Sequence, residues 1–323
     1  MSNEQIKHND ENILEVSHLK KYFPIKGGFF GGVTGQVKAV DDVSFNIKRG
    51  TTMGLVGESG CGKSTLGRTI IRLLDATDGT VRLNGKDITY AKGKELRKLR
   101  EQVSIVFQDP YSSLNPRSSV ESTIREPLQE AHRFSKAEIN ARTEELMDLV
   151  GIEERLRLAY PHEMDGGRRQ RVGIARALAL NPQFIMCDEP VSALDVSIQA
   201  QVINLLDDLR HKMGLTVLFI AHDLSVVKYF SDRIGVMYFG KLVELATSDE
   251  LFAHPLHPYT RSLLSAIPMP DPDYEKQRRR ITYVPLRDHD YTKEQPTLRE
   301  VVPGHFVHCN QEEFDRYQLE LKK

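Results

Sequence analysis

The sequence predicts an α/β protein whose core is a mostly parallel β-sheet flanked by helices. Two observations predict this class: short β-branched runs alternate with segments of helical periodicity, and one run leads through a glycine-rich turn directly into a helical segment. The strand-like runs of this pattern are Gly54–Val56, Val103–Phe107, Phe184–Cys187, Val217–Ala221 and Ile234–Tyr238. Because strands that are joined through helices pair in parallel, we expect these runs to share one sheet.

The N-terminal part of the chain predicts an antiparallel unit ahead of this sheet. Leu14–Val16, Val37–Val40 and Val43–Ile47 have the composition of short strands, and a Gly-rich segment interrupts them. Glycines at a chain reversal are typical of a hairpin tip. We therefore expect an antiparallel β subdomain whose mobile tip lies at Gly27–Gly32.

The middle of the chain predicts a helical insertion. Between Asp109 and Gly166 strand-like runs are absent, and the apolar residues of Lys136–Val150 recur at helical spacing. Further on, Ser197–Met213 places its apolar residues on one face, as an amphipathic helix does. We therefore expect one domain over residues 12–267, with a helical subdomain at about 110–165.

The last part of the chain differs in composition. From Pro268 onward proline and charge dominate, as in Pro270, Pro272 and the run Arg278–Arg280. Such a composition is typical of a segment that is laid over the surface or only partly ordered. We expect residues 268–323 to form a C-terminal tail extension.

Composition excludes several classes of protein. Lys and Arg number 44 and Asp and Glu number 45, so the formal charge of -1 provides no global attraction to nucleic acid or to an anionic membrane. The longest apolar runs, such as Leu215–Ala221, fall far below the roughly 18 residues of a membrane span. The N-terminus is polar, unlike a secretory signal, and the cysteines Cys61, Cys187 and Cys309 form no paired metal or disulfide pattern. We expect a cytosolic protein that crosses no bilayer itself.

A phosphate-binding motif follows the first of the parallel strands. Residues 57–65 match G-x-x-x-x-G-K-[ST] between the strand-like run Gly54–Val56 and the helical run Leu66–Leu74, which is the context that this motif requires. Its glycines let backbone N–H groups surround a β-phosphate, Lys63 contacts the β- and γ-phosphates, and Ser64 can ligate Mg²⁺. The predicted phosphate-binding residues are Gly57, Glu58, Ser59, Gly60, Cys61, Gly62, Lys63, Ser64 and Thr65.

Two adjacent carboxylates follow the apolar strand Phe184–Cys187. At the carboxyl end of a parallel strand, where ligands of open α/β sheets bind, Asp188 can hold Mg²⁺ through water. Glu189 is placed to polarise an attacking water as a general base. A solvated strand end is the alternative interpretation, and the phosphate-binding motif upstream favours the catalytic one. Cys187 has the pattern of a small buried hydrophobic residue.

Further polar segments accompany these two motifs in a definite order. They are Gln108 at the end of a strand-like run, Gly-Gly-Arg-Arg-Gln-Arg at residues 166–171, Ser192–Asp195 after the carboxylates, and His222 at the end of the next strand. Taken singly, each has a structural explanation, as a polar loop residue, a solvated arginine face or a strand-end histidine. Their joint order is not explained in this way.

This order of motifs resembles the ATP-binding subunit of an ABC transporter over about residues 12–267. Tyr22–Gly28 and His254–Thr260 resemble, more narrowly, the F-type ATPase subunit of oligopeptide and dipeptide importers. The resemblance implies the P-loop fold of ABC nucleotide-binding domains, an ATPase activity, ATP as the nucleotide and Mg²⁺ as its metal. It also implies a head-to-tail dimer, in which the phosphate loop of one subunit faces the signature helix of the other.

The resemblance assigns roles to the matching positions. It implies that Phe23, or with less support Tyr22, stacks on adenine. It implies that Gln108 senses Mg²⁺ and the attacking water, and that His222 contacts the γ-phosphate. Together with the motif residues, this makes Glu189, His222 and Gln108 the expected catalytic residues and Ser64, Gln108 and Asp188 the expected metal ligands.

The signature departs from the family's pattern. Relatives read Leu-Ser-Gly-Gly-Gln, whereas this chain reads Met-Asp-Gly-Gly-Arg at residues 164–168. The residues that the resemblance places at the partner's ATP are Asp165, Gly166 and Gly167, with Asp195 at the dimer interface. Ionised Asp165 would bring like charge toward the γ-phosphate and silence that site, or Arg168 would pair with it and compensate. Both interpretations stay open at this point.

The resemblance implies the energy-coupling ATPase of a peptide importer, in which ATP binding closes a dimer and hydrolysis resets it. The implied partners are a second ATPase subunit in a heterodimer, two transmembrane permease subunits and, indirectly, an extracytoplasmic peptide-binding protein, with no nucleic acid. A coupling helix of a permease would enter the helical insertion. The implied location is the cytoplasmic face of the membrane, as a peripheral subunit.

Three alternatives remain from the sequence. An ATPase of a nickel importer would look similar, because the ATPase never touches the cargo. An ABC ATPase of DNA repair or translation would carry long coiled coils or two complete nucleotide domains, which this chain lacks, and its basic run Lys92–Arg100 is typical of a solvated helix face. A catalytically weak regulator is opposed by Glu189 and His222 and supported by Asp165.

Overall fold

The computed structural model describes residues 11–27, 32–267 and 280–322. Its strands are β1 (Asn12–Gly27), β2 (Gly32–Lys48), β3 (Thr52–Val56), β4 (Asp78–Leu83), β5 (Lys86–Asp87), β6 (Val103–Val106), β7 (Phe184–Asp188), β8 (Thr216–Ile220), β9 (Arg233–Tyr238), β10 (Lys241–Thr247), β11 (Thr297–Val302) and β12 (His305–Cys309).

The helices of the described residues mostly lie, in chain order, between strands of the larger sheet. They are α1 (Lys63–Ile70), α2 (Gly93–Gln102), α3 (Pro110–Ser113), α4 (Val120–Glu130), α5 (Lys136–Leu149), α6 (Gly166–Leu178), α7 (Val196–Met213), α8 (Leu224–Phe230), α9 (Ser248–Ala253), α10 (Pro258–Ser265), α11 (Pro285–Asp288) and α12 (Gln311–Glu320). Within these described segments, no helix combines the length and the apolar character that crossing a bilayer requires.

Two sheets organise the molecule. The larger has the strand order β11-β12-β10-β9-β3-β8-β7-β6, and its portion from β9 to β6 is parallel. The smaller, β2-β1-β4-β5, is antiparallel. Residues 110–165, all of them described, contain helices and no strand. The predicted α/β class, with a parallel core, an antiparallel β subdomain and a helical insertion, is confirmed.

The predicted parallel strands are all present, with bounds that differ by at most two residues from those expected. The helix after the glycine-rich turn is offset more, because it covers Lys63–Ile70 instead of Leu66–Leu74. Just beyond the helix, Arg72 has a φ of 61°, which lies in the left-handed region. A residue in that conformation cannot continue an α-helix, so Leu73 and Leu74 leave the helix axis.

The expectation of two separate strands at Val37–Val40 and Val43–Ile47 is wrong, because both belong to the single strand β2. Asp42 lies between them with a φ of 63°, and the register with β1 shifts at this point. A bulge of this kind bends a strand without ending its pairing. The two strands pair up to Gly27 and Gly32, so the hairpin lies where it was predicted. Residues 28–31 of its tip lie outside the described residues.

The larger sheet is buried on both faces. In β8, Val217 and Phe219 face the core formed with helices α6 to α8, and Leu218 and Ile220 face the core formed with α1 and the smaller sheet. Burial on both sides explains why the parallel strands read as continuous apolar runs instead of alternating ones. The layers therefore hold the carboxyl ends of these strands in a rigid row.

The expectation that the tail only covers the surface is wrong for its last part. Strands β11 and β12 pair with each other, and β12 pairs with β10, so they extend the larger sheet. Val307, Cys309 and Tyr317 form a small buried core with Leu256. Short runs such as these pair once a free strand edge is available, which composition alone does not reveal. The proline-rich residues 268–279 lie outside the described residues.

The C-terminal strands hold a half-buried histidine, His308, whose titration opposes folding in acid. Burial, reinforced by the charge of Lys241, lowers the pKa of His308 to about 4. An unfolded histidine titrates near 6.5, so below that pH the unfolded chain binds a proton that the folded chain does not. Stability contributed by neutral His308 is therefore present above pH 6.5 and lost as the pH falls toward 4.

We predict that the free energy of unfolding falls between pH 7 and pH 5 in both proteins, and that it falls by about 2 kcal/mol less in the His308→Gln variant than in the wild type. Urea unfolding at the two pH values measures the difference. His254→Gln, at an exposed histidine, is the matched control. Equal acid sensitivity of the wild type and His308→Gln would contradict the assignment.

Candidate functional site

Adjacent parallel strands bring the expected catalytic side chains to one edge of the larger sheet. In the order β3-β8-β7-β6, the strands end at the same edge because they are parallel. The residues just beyond their ends are Gly57, His222, Glu189 and Gln108. Residues that lie far apart in sequence are thus collected at the place where open α/β sheets bind ligands.

The phosphate loop, residues 57–65, packs so closely that two of its positions require glycine. A Cβ on Gly57 would lie 2.2 Å from the carbonyl oxygen of Met237, and a Cβ on Gly62 would lie 2.0 Å from that of Ala39. Both glycines have positive φ, 147° and 109°. Helix α1 begins directly after Gly62 without a side-chain cap, so its first N–H groups are free to bind an anion.

The remaining loop residues lie at its tip and its end. Ser59 and Gly60 are exposed at the tip, whereas Cys61 is buried with its Sγ 3.8 Å from Lys63 Nζ. The Thr65 carbonyl accepts a hydrogen bond from the Thr69 hydroxyl within α1. Burial raises the pKa of the Cys61 thiol, so this side chain is a packing residue of the loop.

The Lys63 side chain folds back over the loop. It is 4% exposed, and its Nζ donates hydrogen bonds to the carbonyl oxygens of Gly57 at 2.7 Å and Glu58 at 2.9 Å. Two neutral carbonyls hold the ammonium, and charged phosphate oxygens are stronger acceptors. The lysine is therefore already in the loop, ready to exchange these partners for an anion.

Ser64 and Asp188 lie side by side, as the expected metal site requires. Ser64 Oγ donates to Asp188 Oδ1 at 2.6 Å. The other carboxylate oxygen accepts from the Arg68 guanidinium at 2.9 Å, and the Asp188 side chain is 2% exposed. Hydroxyl and carboxylate oxygens are ligands that Mg²⁺ prefers, so this pair fits the metal. Sequence analysis did not identify Arg68, which compensates the charge of a buried carboxylate.

The three expected catalytic residues meet at one carboxylate oxygen. Gln108 Nε2 donates to Glu189 Oε2 at 2.9 Å. The His222 ring nitrogen Nδ1 lies 3.6 Å from the same oxygen. Gln108 is predicted to be a metal ligand as well, and in this structure its amide nitrogen donates to Glu189.

Glu189 has an unusual backbone. Its φ of 49° lies in the left-handed region, where a residue other than glycine is strained by about 1–3 kcal/mol. Its N–H donates to the Ile220 carbonyl at 2.9 Å, and its own carbonyl accepts from the Ser192 hydroxyl at 3.1 Å. The neighbouring strand and loop therefore enforce a conformation that turns the carboxylate away from β7 toward the strand ends. Cys187, one strand residue earlier than Asp188, is fully buried as expected.

The signature residues begin helix α6. Asp165 caps the helix, since its Oδ1 accepts from the Arg168 N–H at 2.8 Å. The Arg168 guanidinium lies 3.5 Å from Asp165 Oδ2 and 3.5 Å from Glu153 Oε1. The ion pair that the compensation hypothesis needs is therefore present within the free chain.

The signature packs against the Ser192–Asp195 loop. A Cβ on Gly166 would lie 2.9 Å from the Leu194 side chain, and a Cβ on Gly167 would lie 2.6 Å from that of Ile198. Asp195 is exposed at the start of α7 and caps it without a side-chain hydrogen bond. In the described part of the chain, no hydrogen bond or ion pair joins the signature to the phosphate loop. The two halves of the expected site thus lie apart in one chain.

The two candidate adenine-stacking residues differ in their surroundings. The Tyr22 hydroxyl donates to the Asp41 carboxylate, and burial with this bond raises the pKa of Tyr22 to about 12. Phe23 pairs with Val37 on β2 and is 38% exposed, and the Lys21 ammonium lies over its ring, 4.9 Å from the centroid. The exposed ring of Phe23 is the one that is open to a flat ligand.

One residue that contacts the loop was not identified by the sequence analysis. The Glu58 N–H donates to the hydroxyl of Tyr259 at 3.0 Å, and Tyr259 is 1% exposed. Tyr259 belongs to the His254–Thr260 segment, which the sequence marked only as a family resemblance. Neither hydrophobic periodicity nor a local motif in the sequence indicates this contact, because 201 residues separate Glu58 and Tyr259.

Comparison with known families gives two matches. Residues 40–192 match the family described as ABC transporter. Residues 243–293 match the family described as oligopeptide/dipeptide transporter, C-terminal region. The second match includes Glu244 and Tyr259.

Characterised relatives are similar over nearly the whole chain. The oligopeptide transport ATP-binding protein OppF of Bacillus subtilis is 56% identical over 310 residues, covering 95% of this chain and 99% of the relative. The dipeptide transport ATP-binding protein DppF of Lactococcus lactis is 51% identical over 309 residues, covering 94% of this chain and 98% of the relative.

Solved structures show the same fold. The cbiO1 protein of Clostridium perfringens, part of the ABC transporter complex cbiONQ, is 29% identical with a TM-score of 0.66, covering 75% of this chain and 91% of that structure. An ATP-binding cassette in a dimeric post-hydrolysis state, bound to ADP and Pi, is 31% identical with a TM-score of 0.65, covering 73% of this chain and 98% of that structure.

We predict that Glu189→Gln retains ATP binding and lowers the hydrolysis rate by about 10²–10⁴-fold, because the amide keeps the shape of the side chain and cannot accept a proton. Nucleotide titration and single-turnover hydrolysis in the full-length chain measure the two effects. Glu312→Gln, at an exposed carboxylate of the last helix, is the charge-matched control. Hydrolysis by Glu189→Gln at a rate near that of the control would remove Glu189 from the catalytic role.

Proposed function

Because this chain belongs to the ATP-binding subunits of ABC transporters, and among them to the group that carries the oligopeptide/dipeptide C-terminal region, we propose that it hydrolyses ATP to drive the import of oligopeptides or dipeptides. The observation that carries the ATPase assignment is the meeting of Gln108 and His222 at the Glu189 carboxylate, on the sheet edge that also bears the phosphate loop. The peptide cargo is supported by the match of residues 243–293 and by the names of the relatives.

The proposed chemistry follows from these positions. Lys63 leaves its two carbonyl partners and binds the β- and γ-phosphates, where the free N–H groups of α1 also point. Glu189 orients a water for in-line attack on the γ-phosphate and accepts its proton. Gln108 holds the Glu189 carboxylate and the water, and His222 contacts the γ-phosphate. Phe23 offers its exposed ring to adenine.

The metal assignment is also part of the proposal. Ser64 and Asp188 would hold Mg²⁺, Asp188 through water, with Gln108 completing the set from the adjacent strand end. Bound there, Mg²⁺ neutralises charge on the β- and γ-phosphates. The support is the 2.6 Å contact between the Ser64 hydroxyl and the Asp188 carboxylate, which places two oxygen ligands of the right type together.

A second ATPase subunit completes the site in this proposal. Asp165, Gly166 and Gly167 lie apart from the phosphate loop of their own chain, so they are available to face the ATP of a partner in a head-to-tail heterodimer. Asp195, exposed beside them, would lie at the interface. A nucleotide held between two chains couples ATP binding to closure of the dimer, and closure is the motion that can move membrane subunits.

Two permease subunits would dock on the helical subdomain, at the cytoplasmic face of the membrane. Support comes from apolar side chains that this subdomain leaves exposed, since Leu158 is 71% and Tyr111 is 53% exposed. The extracytoplasmic peptide-binding protein would act through the permeases alone. Residues 12–267 remain the proposed nucleotide-binding domain and 268–323 the C-terminal extension. Support for the extension comes from the small core around Tyr317, in which Leu256 is joined by Val301, Val307 and Cys309.

We predict that a strain lacking the gene regains uptake of a labelled tripeptide when it expresses the wild type, and not when it expresses Lys63→Ala, which removes the charge that binds the phosphates. Glu312→Gln at equal expression should restore uptake and is the control. Uptake of dipeptide and of Ni²⁺ is measured in parallel. Restored Ni²⁺ uptake without any peptide uptake would contradict the proposed cargo.

We predict for the signature that Arg168 compensates Asp165, because its guanidinium lies between Asp165 and Glu153. Asp165→Ser and Arg168→Gln should each slow hydrolysis at the partner's phosphate loop, and the double variant should recover, with an interaction energy of about 1 kcal/mol. The measurement is a double-mutant cycle in the assembled heterodimer, with the partner's catalytic glutamate replaced in parallel so that the two sites are counted separately. Faster hydrolysis by Asp165→Ser alone would instead support silencing by Asp165.

A further inference from the structure

The peptide group that joins Gly57 to Glu58 is held from both sides in this structure. Its carbonyl, that of Gly57, accepts from Lys63 Nζ at 2.7 Å, and its N–H, that of Glu58, donates to the Tyr259 hydroxyl at 3.0 Å. The lysine has to leave this carbonyl in order to bind phosphate. The bond to Tyr259 is then the remaining side-chain tether on the first peptide of the phosphate loop.

The Tyr259 ring is fixed by an aromatic cluster. Its centroid lies 4.5 Å from that of Tyr238 and 5.5 Å from that of Tyr283. Tyr238 follows Met237, whose carbonyl oxygen is the close neighbour of Gly57. The hydroxyl of Tyr259 is therefore aimed at the loop by packing on both sides, and burial raises the pKa of this hydroxyl and keeps it neutral.

The helix that carries Tyr259 is fixed by a buried carboxylate. Glu244, which is fully buried, accepts from the N–H groups of Leu256 and His257 at 2.8 and 3.0 Å. His257 Nδ1 in turn accepts from the Tyr259 N–H at 3.1 Å. Burial lowers the pKa of His257 well below its usual range, so the ring is neutral and its Nδ1 can accept.

The same carboxylate is bound by the C-terminal extension. The His305 ring nitrogen Nε2 lies 2.8 Å from Glu244 Oε1, and His305 belongs to β12. A continuous set of buried hydrogen bonds thus runs from β12 through Glu244 and His257 to Tyr259 and the phosphate loop. His305, Glu244, His257 and Tyr259 are each at most 2% exposed, so water does not substitute readily for a partner lost among them.

We propose that Tyr259 is a positioning residue for ATP binding, and that through it the C-terminal region holds the phosphate loop in the conformation that accepts phosphate. The hydroxyl does not touch the nucleotide. It keeps the first loop peptide in place while Lys63 changes partners, so that the inward N–H groups need no reorganisation when phosphate binds. This role rests on nucleotide binding by the family and is independent of the peptide cargo.

The test removes the hydroxyl and keeps the ring. Tyr259→Phe in the full-length chain should weaken ATP binding by about 3- to 10-fold, as expected for one lost hydrogen bond. The maximal hydrolysis rate at saturating ATP should stay near that of the wild type, because the catalytic groups are unchanged. Binding is measured by calorimetric titration of ATP in the Glu189→Gln background. The KM and kcat of Tyr259→Phe are measured with Glu189 intact, in the assembled heterodimer with the partner's catalytic glutamate replaced.

Tyr283→Phe is the matched control, because it removes a hydroxyl from the same cluster without a bond to the loop. A second measurement needs no nucleotide: backbone amide exchange of the peptide that contains residues 57–62 should be faster in Tyr259→Phe than in Tyr283→Phe. Unchanged ATP affinity, unchanged amide exchange, or equal losses in both variants would each overturn the proposal.

Discussion

A phosphate-binding loop has to keep the backbone N–H groups that point inward available for an anion, so its own backbone hydrogen bonds stabilise it only in part. In this protein its neighbours hold it from outside. The Gly240 N–H donates to the Cys61 carbonyl at 2.8 Å, and the Tyr259 hydroxyl accepts from the Glu58 N–H. The carbonyl oxygens of Met237 and Ala39 lie close against Gly57 and Gly62. These neighbours come from the larger sheet, the β subdomain and the C-terminal region. The loop is therefore the point at which the parts of the molecule depend on one another.

The strained conformation of Glu189 follows from the same arrangement. A side chain that continued a straight strand would stand roughly perpendicular to the sheet, and the left-handed turn at Glu189 instead directs the carboxylate toward Gln108 and His222. The bonds to Ile220 and Ser192 offset the cost of that turn. The row of parallel strands thus brings Glu189, Gln108 and His222 together and keeps them rigidly in place.

Much of this site could be predicted from the local sequence. The phosphate loop, the carboxylates at the end of β7 and the residues after β6 and β8 are each marked by a short motif beside a strand, and strand ends on one edge of a parallel sheet must meet. Arg68 and Tyr259 could not be found in this way. Arg68 matters because it pairs with Asp188, 120 residues away in the chain, and Tyr259 because it binds Glu58, 201 residues away. No local sequence pattern encodes such a pairing.

The sequence by itself determined the alternation of strands and helices, the phosphate loop and the residue types at the strand ends, because these depend on periodicity and on short-range backbone geometry. Only the tertiary structure decided that the proline-rich tail leads into β11 and β12 and extends the larger sheet, since that requires the free edge of β10. It also decided that Glu153, from the segment between α5 and α6, joins Asp165 at the Arg168 guanidinium. Long-range contacts of this kind depend on which surfaces the fold brings together, and that information is spread over the whole chain.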